Sequence, residues 1–221
     1  MKLTSILSND TPEEMEDGDV LSALFGSTSP GFWPGVPSFY GVENRAVLIA
    51  GEINEVVANS VIAQLQQLQA EDPEAPIRVY VNTVGGDAAS GFALYDWMRC
   101  LSTPIVGIAY GRCSSAGLPI FMGADLRFST PRCRFFYHEV VGGMGVASSA
   151  ELEEASQNYT WCQETMKDIL MTRCKKINKT SWKKHFAGKT SFHFGTKFAL
   201  EMGIIHDQLI EIKKKVTLEK E

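Results

Sequence analysis

The sequence contains no apolar run of the roughly 18 residues that a membrane-spanning helix needs, so we expect no membrane partner. No apolar stretch like the core of a secretory signal occurs near its start, so we expect no secretory signal. Its five cysteines include no C-x-x-C pair, and their odd number and irregular spacing fit neither a zinc site nor a disulfide framework. This cysteine usage predicts a reducing compartment such as the cytosol.

Two nucleotide-binding signatures are also missing: G-x-G-x-x-G and the lysine of a phosphate-binding loop. The last 50 residues, 172–221, are basic, with 12 Lys/Arg against 5 Asp/Glu. They contain no zinc knuckle, helix-turn-helix spacing or arginine-rich arm. We therefore interpret the basic region as a solvated surface and expect no nucleic-acid partner.

What is present is the composition of an ordinary globular protein: 221 residues, 44% apolar, with a formal net charge of −5. Residues 1–40 stand apart, because they combine six acidic residues with Pro/Gly-rich turns. We predict three regions: an acidic, turn-rich N-terminal segment (1–40), one large domain (41–207) and a charged C-terminal tail (208–221).

The central region alternates strand and helix patterns. Short apolar runs predict strands at 46–50, 77–81, 105–110 and 135–137, and apolar residues at helical spacing predict helices at 54–70 and 91–101, with a further helical run ending at Phe121. Repeated strand–helix–strand units predict an α/β domain whose parallel strands are covered on both faces.

A long helix is predicted at 148–173. Ser148 or Ser149 can cap its start, and apolar residues recur in steps of three and four at Leu152, Ala155, Tyr159, Cys162, Met166 and Ile169. Such a seam fits a helix lying on its own core, or a helix that projects and packs on another subunit.

Three loops that follow strands carry residues suited to catalysis. Gly85-Gly86 can present backbone N–H groups, Ser115 lies at a strand-to-helix turn, and His138 leaves a strand for a glycine-rich loop. Each has a plainer reading on its own: a turn, a helix cap and a structural histidine. Because such loops converge at one edge of a parallel sheet, together they predict an anion-binding amide, a nucleophile and a base for acyl transfer.

These motifs, in this order, resemble the proteolytic subunits of the ATP-dependent Clp protease family, serine peptidases with a crotonase-like α/β fold. The resemblance runs from about residue 45 to 207. It rests on the segments 47–53, 57–65, 80–86, 93–98, 111–117, 134–143 and 199–203.

The resemblance implies roles for particular residues. Ser115 matches the nucleophile, His138 the base, and the backbone N–H groups of Gly86 and Ala116 the oxyanion hole. The 148–173 helix matches the projecting handle through which two seven-membered rings stack. It also implies no metal or cofactor, unfolded polypeptides as substrates inside a closed chamber, a Clp-type ATPase partner and a cytoplasmic or equivalent organellar location.

The sequence departs from the family pattern in several places. Ser191 stands where the family has the third catalytic residue, an aspartate, and no Asp or Glu occurs between Asp168 and Glu201. Loss of that carboxylate in a related triad costs about 10⁴ in turnover. Glu139-Val140 replaces a Gln-Pro pair, and residues 1–40 do not match the family's axial loops.

Three functions therefore remain open at this point. The first is an active serine endopeptidase subunit, the second a weakly active or non-catalytic ring subunit, and the third a crotonase-type enzyme acting on coenzyme A thioesters. Retention of both Ser115 and His138 favours the first, and the missing aspartate favours the second.

Overall fold

The computed structural model describes residues 45–142, 145 and 147–209; the predicted segment 1–40 and nearly all of the tail 208–221 lie outside these residues. The strands are β1 (Ala46–Ile53), β2 (Ile77–Gly86), β3 (Ile105–Ser114), β4 (Leu126–Ser129), β5 (Arg134–Tyr137), β6 (Phe192–Gly195) and β7 (Asp207–Gln208). The helices are α1 (Glu55–Glu71), α2 (Ala88–Cys100), α3 (Gly117–Met122), α4 (Ser149–Arg173), α5 (Lys179–His185) and α6 (Thr196–Met202).

Polar side chains start four of the helices. Asn54 caps α1, Asp87 caps α2 and Asn178 caps α5, each accepting a hydrogen bond from a backbone N–H of the first turn. Ser148 caps α4 in a capping box with Glu151, which confirms one of the two predicted caps. Each cap satisfies backbone donors that a helix leaves unpaired, so these residues fix where the helices begin.

One sheet organises the domain. Its main path runs β1-β2-β3-β4-β7, and every pair along it is parallel, as predicted. The first part of β3 pairs with β4, and its last three residues, 112–114, pair with β5. The pairing of β5 with β6 is antiparallel, which the sequence analysis did not predict. The sheet therefore divides after β3, and the branch formed by β5 and β6 begins beside the end of β3.

Most of the buried apolar side chains form one core between the sheet and the helices. A smaller cluster contains Ala46, Tyr80, Val106, Ile108 and Phe128. Strand residues and Leu209 supply all of its members within the described part of the chain. No helix residue of the described ranges belongs to this second cluster.

The two halves of α4 differ in environment. Cys162, Met166 and Ile169 are buried in the main core, whereas Leu152 is 54% exposed and Trp161 is 57% exposed. The second half therefore lies on the domain's own core, as one of the two interpretations predicts; the first half is mostly exposed, and its packing on another subunit stays a prediction.

Candidate active site

Ser115 lies at a strained turn between β3 and α3. Its φ is 53°, in the left-handed region that residues with a side chain rarely adopt, and such a conformation costs on the order of 1–3 kcal/mol. Its N–H donates to the carbonyl oxygen of Phe136 at 2.8 Å, which ties the turn to β5. The surrounding structure thus holds the Ser115 hydroxyl toward the end of β5.

Glycines let β2 approach this turn closely. A Cβ on Gly85 would lie 2.5 Å from the Cβ of Ser115, and one on Gly86 would lie 2.1 Å from the carbonyl oxygen of Ile53. Both glycines have positive φ, at 92° and 149°. β2 therefore approaches the Ser115 turn at Gly85 and the end of β1 at Gly86, and neither position has room for a side chain.

The structure brings Ser115 and His138 into hydrogen-bonding contact. His138 Nε2 lies 2.8 Å from Ser115 Oγ, and Nδ1 lies 2.6 Å from the carbonyl oxygen of Glu139. A carbonyl oxygen only accepts, so Nδ1 carries the proton and donates it there. Nε2 is then the acceptor for the Ser115 hydroxyl proton, which is the tautomer a general base requires.

Ser191 makes no hydrogen bond to His138. The β5–β6 ladder ends at the pair Tyr137 and Phe192, one residue before His138 and one residue after Ser191, and Glu139 N–H then donates to the carbonyl oxygen of Lys189, which is out of step with the ladder. Ser191 is exposed, and both ring nitrogens of His138 are engaged elsewhere. No carboxylate of the described residues forms an ion pair with His138. The main-chain carbonyl of Glu139 occupies the bond that an aspartate would make.

The two predicted oxyanion amides border the same space. Gly86, Ser115, Ala116 and His138 line one cavity of about 280 Å³. Within the described part of the chain, the N–H of Ala116 has no backbone or side-chain acceptor. An N–H group in that position is suited to stabilising negative charge on an oxygen bound next to Ser115.

The far wall of this cavity is apolar. It is formed by Phe92, Trp161, Cys162 and Met166, and the rings of Phe92 and Trp161 meet edge to face with centroids 5.7 Å apart. Asp87 lines the cavity too, and hydrogen bonds from Ser90 hold the pKa of its carboxyl below the usual value. The space therefore suits an apolar side chain, with one negative charge near it.

Sequence reasoning missed three groups that surround His138. They are the carbonyl of Glu139, the side chain of Gln163 and a column of rings in which Phe136 stacks on His138 at 5.1 Å and on His193 at 4.1 Å. A main-chain carbonyl leaves no residue-type signal, and nothing in the sequence places Gln163 beside a strand 26 residues away. The alternation of aromatic residues and histidine in β5 and β6 was the only available signal for the column.

Two classes of site are not found in the described ranges. No group of three or more His, Cys, Asp or Glu side chains is placed to hold a metal ion. No described helix has both the length and the apolar character needed to cross a bilayer.

Comparison with known protein families matches residues 40–213 to the Clp protease family. The match covers the whole described domain, including the Gly85-Gly86 loop, the Ser115 turn and the His138 loop. The mostly parallel sheet with its helices is the crotonase-like α/β fold that the motifs implied. Both the sequence motifs and the family match lead to one identification: the chain belongs to the Clp protease family.

Proposed function

We propose that this protein is an active serine endopeptidase subunit, with Ser115 as the nucleophile and His138 as the base. The observation that supports this most is the 2.8 Å contact between Ser115 Oγ and His138 Nε2 at a strained strand-to-helix turn. A plain helix cap would need neither the left-handed backbone at Ser115 nor an imidazole acceptor for its hydroxyl.

The mechanism follows from the positions of these groups. His138 Nε2 takes the hydroxyl proton as Ser115 Oγ attacks the peptide carbonyl, and the backbone N–H groups of Gly86 and Ala116 receive the developing oxyanion. The imidazolium returns the proton to the leaving amine, and water then releases the acyl group from Ser115 by the same route. The carbonyl of Glu139 stabilises the imidazolium through its dipole, which is weaker than a full carboxylate charge.

Unfolded polypeptides are the proposed substrates. β2 ends at Gly86 and α2 begins at Ala88, so no strand edge follows Gly86; an apolar side chain next to the cleaved bond would enter the cavity beside Phe92 and Met166. No cofactor or metal has a part in this reaction. The five cysteines, all free thiols, support a reducing location such as the cytoplasm or an organellar stroma or matrix.

Stacked heptameric rings are the proposed assembly, fed by a Clp-type ATPase. The first half of α4 is mostly exposed and carries Leu152, which is 54% exposed, as a helix that packs on another subunit would. Leu152→Asp should reduce the particle mass in solution while the subunit stays folded. Wild-type protein that is strictly monomeric at micromolar concentration would contradict the assembly.

A fluorophosphonate probe tests the catalytic proposal, because it reacts with an activated serine. Wild-type protein should be labelled and Ser115→Ala should not, although both remain folded. The substitution removes one hydroxyl that makes no helix cap, so it should cost at most about 1 kcal/mol of stability. Equal labelling of both proteins would remove Ser115 as the nucleophile.

A second candidate is a weakly active or non-catalytic ring subunit that modulates a Clp complex. The absence of an ion pair between His138 and any described carboxylate favours it. Folded wild-type protein that assembles but neither takes the probe nor cleaves peptides would establish this alternative.

A further inference from the structure

The peptide group between Glu139 and Val140 is held from both sides. Its carbonyl oxygen accepts from His138 Nδ1 at 2.6 Å, and its N–H donates to Gln163 Oε1 at 2.9 Å. A trans peptide is planar and points its C=O and N–H in opposite directions, and the described chain contains no cis peptide. Gln163 therefore fixes the direction in which the carbonyl faces the imidazole.

The amide of Gln163 is itself fixed in orientation. Val140 N–H is only a donor, so it must face Oε1, and the Nε2 group then donates to the hydroxyl oxygen of Tyr137. Tyr137 is 1% exposed, and its ring packs edge to face on Trp182 and Phe186. Burial raises the pKa of Tyr137 to about 12, so its hydroxyl stays neutral at working pH.

We propose that Gln163 is a positioning residue that, through the Glu139–Val140 peptide, orients His138 in place of the missing carboxylate. The proposal rests on the proposed peptidase function. The chain of bonds runs from Ser115 Oγ through both nitrogens of His138 and across one peptide group to Gln163 and Tyr137. Because a hydrogen bond to the N–H also polarises the carbonyl, Gln163 strengthens the acceptor that the imidazolium needs during attack.

The contact depends on the residue type at position 140. Proline at this position would have no N–H for Gln163 to hold, whereas valine supplies one. Val140 thus supplies the donor through which Gln163 fixes the peptide group that the imidazole contacts. Gln163 lies on α4, so the residue proposed to orient His138 belongs to the helix whose first half is mostly exposed.

Substitutions at 163 test the proposal by activity. Gln163→Leu removes the acceptor and should lower kcat about 10- to 100-fold with little change in KM, because the imidazole is misplaced while the substrate cavity is kept. Gln163→Glu keeps an oxygen acceptor for Val140 N–H and should hold kcat within about threefold of wild type. Gln66→Leu, the same change at an exposed position of α1, is the matched control and should leave kcat unchanged.

The pH dependence of kcat/KM distinguishes a positioning role of Gln163 from a role in packing alone. A carboxylate in Gln163→Glu favours the imidazolium, so the acid limb of kcat/KM should move to higher pH, whereas Gln66→Glu should not move it. The other titratable groups around His138 are common to all variants: Asp87, Tyr137, Glu139, Tyr159, Cys162, Glu164 and His193. An unmoved acid limb in a folded Gln163→Glu protein would overturn the proposal, and this arm remains if Gln163→Leu fails to fold.

The imidazole tautomer provides a readout that needs no catalysis. Nitrogen NMR of the four histidines, with His138 assigned by loss of its signal in His138→Gln, should show the proton on Nδ1 in wild type and a tautomer mixture in Gln163→Leu. If wild type is inactive but shows this difference, the proposed function fails and the positioning role stands. An identical tautomer in both proteins, or equal losses of kcat in Gln163→Leu and Gln163→Glu, would refute the role of Gln163.

Discussion

Ser115 and His138 are joined by a hydrogen bond, yet different kinds of contact fix the position of each residue. The serine side is set by backbone sterics: a left-handed turn, two glycines and a neighbouring strand that leaves no room for a Cβ. The histidine side is set by polar contacts and ring stacking, through Glu139, Gln163 and Phe136. Steric constraints allow almost no variation, whereas a set of weak contacts can be exchanged one at a time. This difference explains how the chain can keep its serine turn while losing the carboxylate behind the histidine.

The largest expected effect is on the serine side, from Gly85→Ala. The new Cβ would meet Ser115 Cβ at 2.5 Å and would force a residue with a side chain to a φ of 92°. We expect peptidase activity to fall below about 1% of wild type and the free energy of unfolding to fall by about 3 kcal/mol. Peptide hydrolysis and chemical denaturation measure the two losses.

Gly195→Ala is the matched control for that substitution. Gly195 ends β6 on the histidine side, has no positive φ, and has nothing within 4 Å of the position a Cβ would take. It should change stability by less than about 1 kcal/mol. Gly85→Ala protein with wild-type activity would contradict the steric account of the serine side.

A smaller and opposite effect is expected from Ser191→Asp. Ser191 directly precedes β6, which pairs with β5 up to the residue before His138, and a carboxylate there would add the charge that a main-chain carbonyl lacks. We expect turnover to rise several-fold, on the order of 3- to 10-fold, because the ring now bonds to Glu139 and must turn to use the new group. Steady-state kinetics on assembled protein measures it.

Ser191→Ala is the companion variant and should leave turnover nearly unchanged, since Ser191 makes no bond to the imidazole. If Ser191→Asp lowers turnover in folded protein while Ser191→Ala also lowers it, residue 191 acts in some other way and its match to the third catalytic position fails.

The smallest expected effect concerns the ring column. Phe136→Leu removes the stack between His138 and His193 but keeps an apolar side chain in β5. We expect kcat to fall about two- to fivefold, since only part of the roughly 0.5–1.5 kcal/mol that an offset ring contact contributes would appear in kcat. Phe128→Leu, in the separate smaller cluster, is the control and should leave kcat unchanged. A loss above a hundredfold would mean that stacking, rather than the Glu139 carbonyl, sets the imidazole.

The sequence predicted the parts of this structure that depend on local pattern. Apolar periodicity located β1, β2, β3, α1, α2 and α4, and Ser148 marked the start of α4. The family motifs located Ser115 and His138, and the structure places them in contact. The short strands β4, β6 and β7 were missed, because two to four residues carry too little periodicity to be separated from loops; β5 is equally short, but its three consecutive aromatic residues marked it.

The contacts behind His138 were not predictable for a physical reason. Gln163 reaches Val140 from a helix 23 positions later, and the group it holds is a main-chain peptide whose direction no residue type reveals. Ser191 was matched to the third catalytic position from sequence order, and that role stays a prediction. In the structure Ser191 precedes β6 and makes no hydrogen bond to His138.

The central claim is that Ser115, activated by His138, cleaves peptide bonds. Its most direct test is the rate at which assembled wild-type protein, Ser115→Ala and His138→Gln degrade an unfolded polypeptide under identical conditions. The account predicts that wild type degrades the polypeptide and that the rate falls by at least about a thousandfold in both variants, because the serine needs the histidine to become a nucleophile and the histidine cannot replace the serine. Degradation by Ser115→Ala at the wild-type rate would contradict it.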